Sequence, residues 1–553
     1  MSLVITYFHG EFDIHIVNEL GAVGHGSAGD TLPQAKEIAV TDRASQIKGR
    51  MDIDDLFHAP QSSIAKFAEM QVHLYRNDVS LQDYFHALDR EIFSSPRKPL
   101  NARAPFNSLV TWSFRAADKT AQVFKSRRFK TDILFAPTPY FGRKTEIRFL
   151  ARTLLGLAHT GAEILCLLPV YAAGRQELES ELASAGYSKQ VTFLDPGMPF
   201  NPVEGRMRAI AAKLRGRAAF EKTIQILEPF GLSPTGSALP DFERTAQYIE
   251  AWERLAPSIE FDAVVARCHW YDLCSSVCRT GMQRGKPVIT FQQGVVDYTL
   301  DVPITATKFV AFGASSASVL AQSNRRFFDA VGSPEPPVEF FDAGSLFDVI
   351  VPLPDQFSLQ SILLIDFHSV PGDPWGTERE VQALLELAEK LLSAKLPLRH
   401  LVIRPHPHWS DHDLGACLKL VREHRDVCEL SHPVWPLEDD LRRSSVVIGI
   451  SSGVLTIASA SGLPTIFLRT EQGFTIRDLE CFSPEQTLLP DAAFREVSKL
   501  LTDRECFAEA RDVAMRNASE YYTSGTNAAL DGAFFTRLLS SEPVKNAVQD
   551  RPR

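Results

Sequence analysis

Two short polar motifs in the C-terminal half of the chain each follow an apolar run. Residues 401–403 lead into Arg404-Pro405-His406-Pro407, and residues 446–450 lead into Ser451-Ser452-Gly453. Residues 454–461 have helical periodicity, so the second motif should lie between a strand and a helix. The first turn of a helix presents unpaired N–H groups and the positive end of a dipole, which together bind anions. The second motif therefore predicts an anion site, and a ligand that carries phosphate.

The first motif should lie beside the second. Pro405 and Pro407 cannot continue strand pairing, so they should end a strand and begin a loop. In an open α/β sheet the carboxyl ends of parallel strands share one edge, where ligands bind, and this edge would bring Arg404 and His406 to the phosphate. Alternatives stay open: Arg404 could pair with a carboxylate, and His406 could be hydrogen-bonded within its loop. The Ser451-Ser452 pair could simply cap the helix.

Composition excludes several classes of protein. The chain has 553 residues, 44% hydrophobic and 23% charged, as expected of a globular protein with two or three domains. A formal net charge of −10 disfavours general nucleic-acid binding. No apolar run is long enough to cross a bilayer, and the first eight residues predict a buried strand rather than a signal peptide. The eight cysteines lack zinc-site spacing and suit a reducing cytoplasm.

Strand-like and helix-like segments alternate along much of the chain, which predicts an α/β fold with doubly wound parallel sheets. Residues 331–358 are rich in proline and lack periodicity, so they predict an interdomain linker. We therefore expect an N-terminal Rossmann-like domain with helical insertions (1–345), a C-terminal Rossmann-like domain (346–540) and a polar tail (541–553). The predicted strands are residues 3–8, 131–136, 163–168, 261–266, 287–291, 308–312, 361–365, 398–403 and 446–450. The predicted helices are 63–75, 81–93, 145–160, 273–282 and 378–393, and residues 485–540 are predicted to be helical.

In this order, the two motifs resemble the "HP" and "SS" motifs of GT-B glycosyltransferases that build bacterial capsules and surface polysaccharides. That group includes CMP-sialic acid and CMP-Kdo transferases, and the CDP-glycerol glycerophosphotransferases are its neighbours. The segments FDAVVARCHWYD and GKPVITFQQGVVDYTL in the first half are similar to the same group. The resemblance implies two Rossmann-like domains that face each other across a cleft, and chemistry that needs no metal or other cofactor.

The resemblance also implies roles for individual residues. The donor nucleotide and its phosphate would be held by Arg404, His406, Pro407, Trp435, Ser451, Ser452 and Gly453. Gln293 stands where the glycerophosphotransferases carry a catalytic histidine, and an amide cannot act as a base. Together with Gly294 it would instead orient an acceptor hydroxyl or a carboxylate of the donor.

The sequence leaves the catalytic base open. A base must take the proton of the acceptor hydroxyl. The sialyltransferases carry an acidic motif before a glycine, which Glu11 and Asp13 near Gly10 match only loosely. The candidates, all expected at strand ends of the first domain, are Glu11, Asp13, His269, Asp272 and Asp297. Asp272 could equally cap the helix that follows it, and His269 could pack against Trp270.

These inferences predict a cytoplasmic inverting glycosyltransferase that moves Kdo or a sialic-type acid from a CMP donor to a bacterial surface glycan. A glycerophosphotransferase, or a UDP-sugar transferase or epimerase of the same fold, is the alternative. Two further classes stay open, namely a non-catalytic nucleotide-sugar-binding subunit and a metal-dependent hydrolase. The hydrolase would use His406, His408, Asp411, His412 and Asp413. The basic segment 206–217 predicts a solvated helix face or, alternatively, a contact with the inner membrane or a polyanion.

Overall fold

The computed structural model divides the chain into two compact units, Met1–Lys48 and Gly49–Arg553. None of the helices in the described part of the chain is long and apolar enough to span a membrane. The structure describes residues 2–8, 11–17, 63–85, 87–88, 128–137, 144–168, 174–195, 202–232, 234, 236–270, 272–292, 301–344, 350–367, 377–405, 411–431, 436–450, 452–468, 486–522 and 530–540.

The described residues of the first unit form an antiparallel hairpin of β1 (Ser2–Phe8) and β2 (Glu11–Val17), in which Phe8 pairs with Glu11. Apolar residues at every second position of β2 favour a strand over a loop. The predicted strand 3–8 is confirmed. Of the two acidic residues expected at a strand end, Glu11 is the first residue of β2, whereas Asp13 lies within that strand.

Among the described residues, seven strands form the first sheet of the second unit, namely β3 (Phe129–Ala136), β4 (Ile164–Leu167), β5 (Val191–Leu194), β6 (Ile259–Ala266), β7 (Val288–Phe291), β8 (Lys308–Ala311) and β9 (Glu339–Asp342). All neighbouring strands are parallel, in the order β5-β4-β3-β6-β7-β8-β9. Strands β4, β7 and β8 are buried along their whole length, as parallel strands covered on both faces should be.

The α-helices that precede, cover or connect these strands are α1 (Ser63–Asn77), α2 (Lys144–His159), α3 (Arg175–Ser184), α4 (Pro202–Leu227), α5 (Leu239–Leu255), α6 (Asp272–Gln283) and α7 (Ala314–Val331). The predicted helices 63–75, 145–160 and 273–282 are confirmed as α1, α2 and α6. The predicted helix 81–93 begins as a 3-10 helix, Val79–Tyr84, and its residues 89–93 lie outside the described part.

Helices α1, α4 and α5 form a helical layer with an apolar cluster of its own, which includes Phe67, Phe220 and Phe242. A buried carboxylate ties this layer to the sheet. Asp83 accepts a hydrogen bond from Ser275 Oγ of α6 at 2.6 Å and pairs with Arg279 of the same helix at 2.5 Å. Helices α4 and α5 of this layer are inserted between β5 and β6.

The stretch 331–358 is not simply a linker. Four of its residues form β9, which pairs in parallel with β8 and closes that edge of the sheet. The segment Glu339-Phe340-Phe341-Asp342 gives little periodicity because every one of its residues is only partly buried. An edge strand has one partner and needs no continuous apolar run, so the prolines around it dominated the sequence pattern.

In the second sheet, the described part of the chain contributes six parallel strands, namely β10 (Ser361–Phe367), β11 (His400–Pro405), β12 (Cys428–Leu430), β13 (Val446–Gly449), β14 (Thr465–Leu468) and β15 (Thr487–Leu488). Their order is β12-β11-β10-β13-β14-β15. The helices of this half are α8 (Thr377–Ser393), α9 (Asp411–Glu423), α10 (Leu437–Arg442), α11 (Gly453–Ala460), α12 (Pro490–Thr502) and α13 (Arg504–Tyr521). The predicted strands 361–365, 398–403 and 446–450 and the helix 378–393 are confirmed.

The last helix in the described part of the chain, α14 (Gly532–Ser540), packs on α2 of the first sheet. A Cβ placed on Gly156 of α2 would lie 2.3 Å from the backbone oxygen of Leu530, so glycine permits this close approach. The buried Nζ of Lys308 in β8 donates to the carbonyl of Leu538 at 2.6 Å. A cation at a helix C-terminus satisfies a carbonyl there and opposes the helix dipole. The C-terminal end of the described chain thus completes the first sheet body.

Candidate functional site

The predicted strand, serine-glycine loop and helix are present in the second sheet. Strand β13 ends at Gly449, and α11 begins at Gly453. Ser452 has extended backbone angles, and its Oγ accepts a hydrogen bond from the N–H of Val454 at 3.3 Å. Ser452 is therefore the N-cap of α11, the alternative that the sequence left open. Its contact with a phosphate stays a prediction.

The N-terminal turn of α11 lies at the carboxyl edge of the sheet, and close packing fixes its approach. A Cβ on Gly449 would lie 2.4 Å from Cγ1 of Ile365 in β10, so any larger residue would push β13 away from its neighbour. After α11 the chain turns at Gly462, whose φ of +86° is a left-handed conformation that favours glycine. The two glycines therefore flank α11, one at the end of β13 and one just after the helix.

Arg404 lies at the carboxyl end of β11 with a side chain that is 12% exposed. Its Nη1 donates to Oδ2 of Asp440 at 2.5 Å and to Oγ of Ser431 at 3.4 Å. The carboxylate pairing considered for Arg404 is thus present. The ion pair fixes the guanidinium beside the strand end, whereas its predicted contact with a phosphate remains untested.

Asp440 of α10 is the centre of this polar cluster, and sequence reasoning missed it. Its carboxylate also accepts Ser431 Oγ at 2.5 Å and Arg443 Nη2 at 2.6 Å, while Ser444 Oγ donates to its backbone oxygen at 2.7 Å. A carboxylate that is 1% exposed needs such partners, because an unpaired buried charge is costly. The spacing of Asp440 from Arg404 in the sequence gave no sign of the pair.

His269 follows the carboxyl end of β6 and is 1% exposed. Its Nε2 hydrogen-bonds the backbone oxygen of Asp301 at 3.1 Å, and its ring packs edge-on to Phe309 at 5.9 Å between centroids. Burial lowers the pKa of His269 to about 4, so the imidazole is neutral at pH 7. A neutral imidazole can accept a proton, but the side chain has almost no exposed surface. The structure therefore favours a packing role for His269 over that of the base.

Some of the other predicted site residues lie in the described part of the chain, and the rest lie outside it. Asp272 is the first residue of α6, the position expected for a helix start. Glu11 and Asp13 lie in the hairpin described above. Outside the described residues lie Gln293, Gly294, Asp297, His406, Pro407, Trp435 and Ser451, so their placement stays a prediction. Among the described residues, no group of three or more His, Cys, Asp or Glu side chains could hold a metal ion.

Gln292, the last described residue after β7, makes a polar contact between the two sheet bodies. Its Nε2 donates to the hydroxyl of Tyr521 at the end of α13 and to Ser316 Oγ of α7, both at 3.3 Å. Its Oε1 accepts the N–H of Phe312 at 2.8 Å. This side chain is fully buried. Gln292, which precedes the predicted substrate-binding residue Gln293, therefore connects the two sheet bodies.

Tyr522 extends the contact to α11. Its hydroxyl lies 2.8 Å from Oγ1 of Thr456 in that helix. Tyr521 and Tyr522 are neighbours in sequence, with ring centroids 4.9 Å apart, and both rings pack on Phe312. The chain of side chains Gln292–Tyr521–Tyr522–Thr456 therefore links the carboxyl end of β7 to the helix that follows β13. The tyrosine pair gave no sequence signal, because its partners are far away along the chain.

Comparison with known proteins gives distant likenesses. No family model and no curated protein matches the chain. Among solved structures, it is similar to UDP-GlcNAc 2-epimerase from Neisseria meningitidis bound to UDP-GlcNAc, with 14% identity, a TM-score of 0.43, and 75% of this chain and 100% of that chain covered. It is similar to HepE from Anabaena in complex with UDP, with 10% identity, a TM-score of 0.40, and 74% of this chain and 100% of that chain covered. It is also similar to MurG from Acinetobacter baumannii, with 11% identity, a TM-score of 0.38, and 74% of this chain and 99% of that chain covered.

The topology of the chain itself defines its architecture. Two Rossmann-like parallel sheets follow each other, and α14 returns to pack on the first. One apolar cluster contains Phe135 and Val310 of the first sheet together with Leu363 and Val447 of the second, so the sheets share a core. This arrangement is the GT-B fold, and the predicted fold class is confirmed.

Proposed function

We propose that the protein is a GT-B glycosyltransferase whose nucleotide-sugar donor binds with its phosphate at the N-terminal turn of α11. The supporting observation is the chain of contacts Gln292–Tyr521–Tyr522–Thr456, which joins the carboxyl edges of the two sheets. Ligands of open α/β sheets bind at such edges. Two edges held side by side offer separate places for a donor and an acceptor.

The chemistry requires stabilisation of the departing phosphate, on which negative charge develops as the glycosidic bond breaks. The first N–H groups of α11 and its dipole would supply this, with Arg404 and His406 at the end of β11 as further donors. An acidic or imidazole side chain at the edge of the first sheet would remove the proton of the acceptor hydroxyl. Asp297 is the candidate that we favour, because it follows Gln293-Gly294 after β7.

The HP and SS motifs support a CMP donor carrying Kdo or a sialic-type acid, and a bacterial surface glycan as acceptor. A UDP-sugar transferase or epimerase would use the same architecture with another base and sugar. A thermal-shift panel of CMP, CDP, UDP and GDP separates these donors. A nucleotide present at 100 times its Kd should stabilise the folded protein by about 2.7 kcal/mol. If none of the four raises the melting temperature, the proposed donor site is wrong.

His406→Ala tests the catalytic part of the proposal. If the imidazole contacts the leaving phosphate, its loss should lower kcat/KM for the donor. The decrease should correspond to roughly 2–4 kcal/mol of lost transition-state stabilisation. His424, near the C-terminal end of α9, offers a matched control, and His424→Ala should retain activity. Wild-type turnover by a folded His406→Ala protein removes His406 from the mechanism. Donor hydrolysis without acceptor would argue against a non-catalytic subunit.

We also propose that the protein works in the cytoplasm and contacts an anionic membrane through α4. Ile210 and Leu214 are 54% and 63% exposed, one helical turn apart, and the exposed Lys213 lies beside them. Paired exposed aliphatic residues with an adjacent cation suit the headgroup region of a bilayer.

Sedimentation with vesicles of phosphatidylglycerol and phosphatidylethanolamine tests this contact. The double variant Ile210→Ser/Leu214→Ser should bind about tenfold more weakly, because two partly inserted aliphatic side chains are lost. Val79→Ser, which changes a residue that is 50% exposed on another segment, is the control. Equal binding by the double variant and the wild type would exclude α4 as the membrane contact.

A further inference from the structure

The hydroxyl of Tyr522 has a defined hydrogen-bond direction. Thr456 Oγ1 donates to the carbonyl of Gly453 at 2.7 Å, which uses its only hydroxyl proton. The contact of 2.8 Å between Tyr522 and Thr456 is therefore donated by the tyrosine. Tyr522 thus holds Thr456, and Thr456 holds Gly453, the first residue of α11.

The donor in this relay is rigidly placed. Tyr522 is 3% exposed, and its N–H donates to the carbonyl of Ala518 at 2.8 Å. Its ring packs on Tyr521 at 4.9 Å and on Phe312 at 5.7 Å between centroids. Phe312 follows β8 of the first sheet, and its own N–H is held by Gln292. The position of the Tyr522 hydroxyl is therefore set by the first sheet body, although it acts on a helix of the second.

We propose that Tyr522 is a positioning residue for the phosphate-binding turn of the second sheet. By holding Thr456, its hydroxyl sets the direction of the first N–H groups of α11 relative to the acceptor edge of the first sheet. This inference rests on the proposed function for the identity of the ligand. The hydrogen-bond relay itself is a property of the protein without ligand.

Tyr521 provides a matched control. It is the adjacent residue, it is also almost fully buried at 1% exposure, and its hydroxyl accepts a hydrogen bond from Gln292 of the first sheet. Tyr521→Phe and Tyr522→Phe each delete one buried phenolic hydroxyl from the same aromatic cluster. Tyr522→Phe removes the hydrogen bond to Thr456 of α11, whereas Tyr521→Phe removes the hydrogen bond from Gln292. If the hydroxyls act by stabilising the contact between the two sheet bodies, both variants should bind nucleotide more weakly. If Tyr522 positions the phosphate-binding turn, only Tyr522→Phe should do so.

The binding test compares a nucleotide with its nucleoside by calorimetry, using CMP with cytidine and UDP with uridine. Tyr522→Phe should raise the Kd of the nucleotide that the wild type binds by roughly three- to tenfold, the effect of one hydrogen bond. The Kd of the nucleoside should not change, because it lacks the phosphate. Unchanged nucleotide affinity in Tyr522→Phe, or an equal loss in Tyr521→Phe, overturns the proposal.

Two Thr456 variants test the relay from its other end. Thr456→Ser keeps the hydroxyl and should retain wild-type nucleotide affinity, whereas Thr456→Val should match Tyr522→Phe. The double variant Thr456→Val/Tyr522→Phe should be no weaker than either single variant, because both remove the same contact. Additive losses would show that the two side chains act separately, which is contrary to the proposal.

Hydrogen exchange tests the relay in the absence of ligand. In Tyr522→Phe, amide exchange in a peptide covering α11 should be faster than in the wild type and in Tyr521→Phe. If the wild type binds no nucleotide but this difference is seen, the proposed function fails and the positioning of α11 stands. If nucleotides bind and exchange in α11 is unchanged, the relay is wrong and the proposed function is unaffected.

Discussion

The Asp440 carboxylate lies 2.5 Å from the guanidinium of Arg404, and this ion pair connects α10 to the end of β11. Asp440 is 1% exposed and Arg404 is 12% exposed, so water screens the pair only weakly. Arg443 and Ser431 complete the hydrogen bonding of the carboxylate. The strand end that carries the HP motif is therefore held by a buried electrostatic cluster.

Arg404→Met should lower the free energy of unfolding by about 3 kcal/mol, because a buried carboxylate loses a charged partner. Urea denaturation of the wild type and the variant measures the change. In the double variant Arg404→Met/Asp440→Asn the loss should be smaller than the sum of the two single losses. Strictly additive losses would mean that the two residues do not stabilise each other.

Ser452→Asp separates helix capping from phosphate binding. Aspartate is as good an N-cap as serine, so the melting temperature should stay within about 2 °C of the wild type. The added negative charge at the N-terminus of α11 should repel a phosphate and weaken nucleotide binding by about tenfold or more. Ser452→Thr, which keeps a neutral cap, is the control for affinity. Retained nucleotide affinity in Ser452→Asp would place the phosphate elsewhere.

The buried imidazole of His269 should make stability depend on pH. Burial lowers its pKa from 6.5 to about 4, so between these values the unfolded chain binds a proton that the folded protein does not. The free energy of unfolding therefore keeps the full contribution of the neutral, buried imidazole above pH 6.5, and this contribution is lost as the pH falls towards 4. From pH 7 to pH 5 the wild type should lose about 2 kcal/mol more unfolding free energy than His269→Gln.

Glutamine at position 269 preserves an N–H donor for the carbonyl of Asp301 but does not titrate, so it serves as the matched variant. Urea titrations at the two pH values give the difference directly. A pH dependence that is the same in both proteins would show that the imidazole is accessible to protons in the folded state.

Gly156→Ala should destabilise the protein although alanine is the better helix former. Its Cβ would lie 2.3 Å from the backbone oxygen of Leu530, and a cost of about 1–3 kcal/mol is expected for such overpacking. Gly415 of α9 is the matched control, since a Cβ there meets nothing within 4 Å. Gly415→Ala should stabilise by about 0.5–1 kcal/mol. Stabilisation by both substitutions would contradict the close packing of α14 on α2.

The sequence predicted those elements whose own residues carry the signal. The apolar run before Ser452-Gly453, the helical period after it and Gly462 defined β13, α11 and the turn without any tertiary information. The same is true of β3, α2 and β4, where long apolar periodicities coincide with buried faces. Parallel strands covered on both sides have such runs because every position meets the core.

The sequence did not predict features that depend on partners distant in the chain. β9 is an edge strand that only its pairing with β8 defines, and prolines on either side concealed it. Asp440 acquires its role from Arg404, and Tyr522 from Thr456. In each case the residue type is common and the informative quantity is a distance in space. The candidates for the base were also common residue types whose spatial partners the sequence does not give. His269, one of them, is a buried neighbour of Phe309.

The return of α14 to the first sheet has a consequence for synthesis on the ribosome. Lys308 of β8 and Gly156 of α2 meet Leu538 and Leu530, so the first sheet lacks these contacts until that segment has been translated. Domains commonly fold in order as they emerge. In this protein the surface of α2 around Gly156 stays uncovered until residues 530–540 have emerged and folded back onto it.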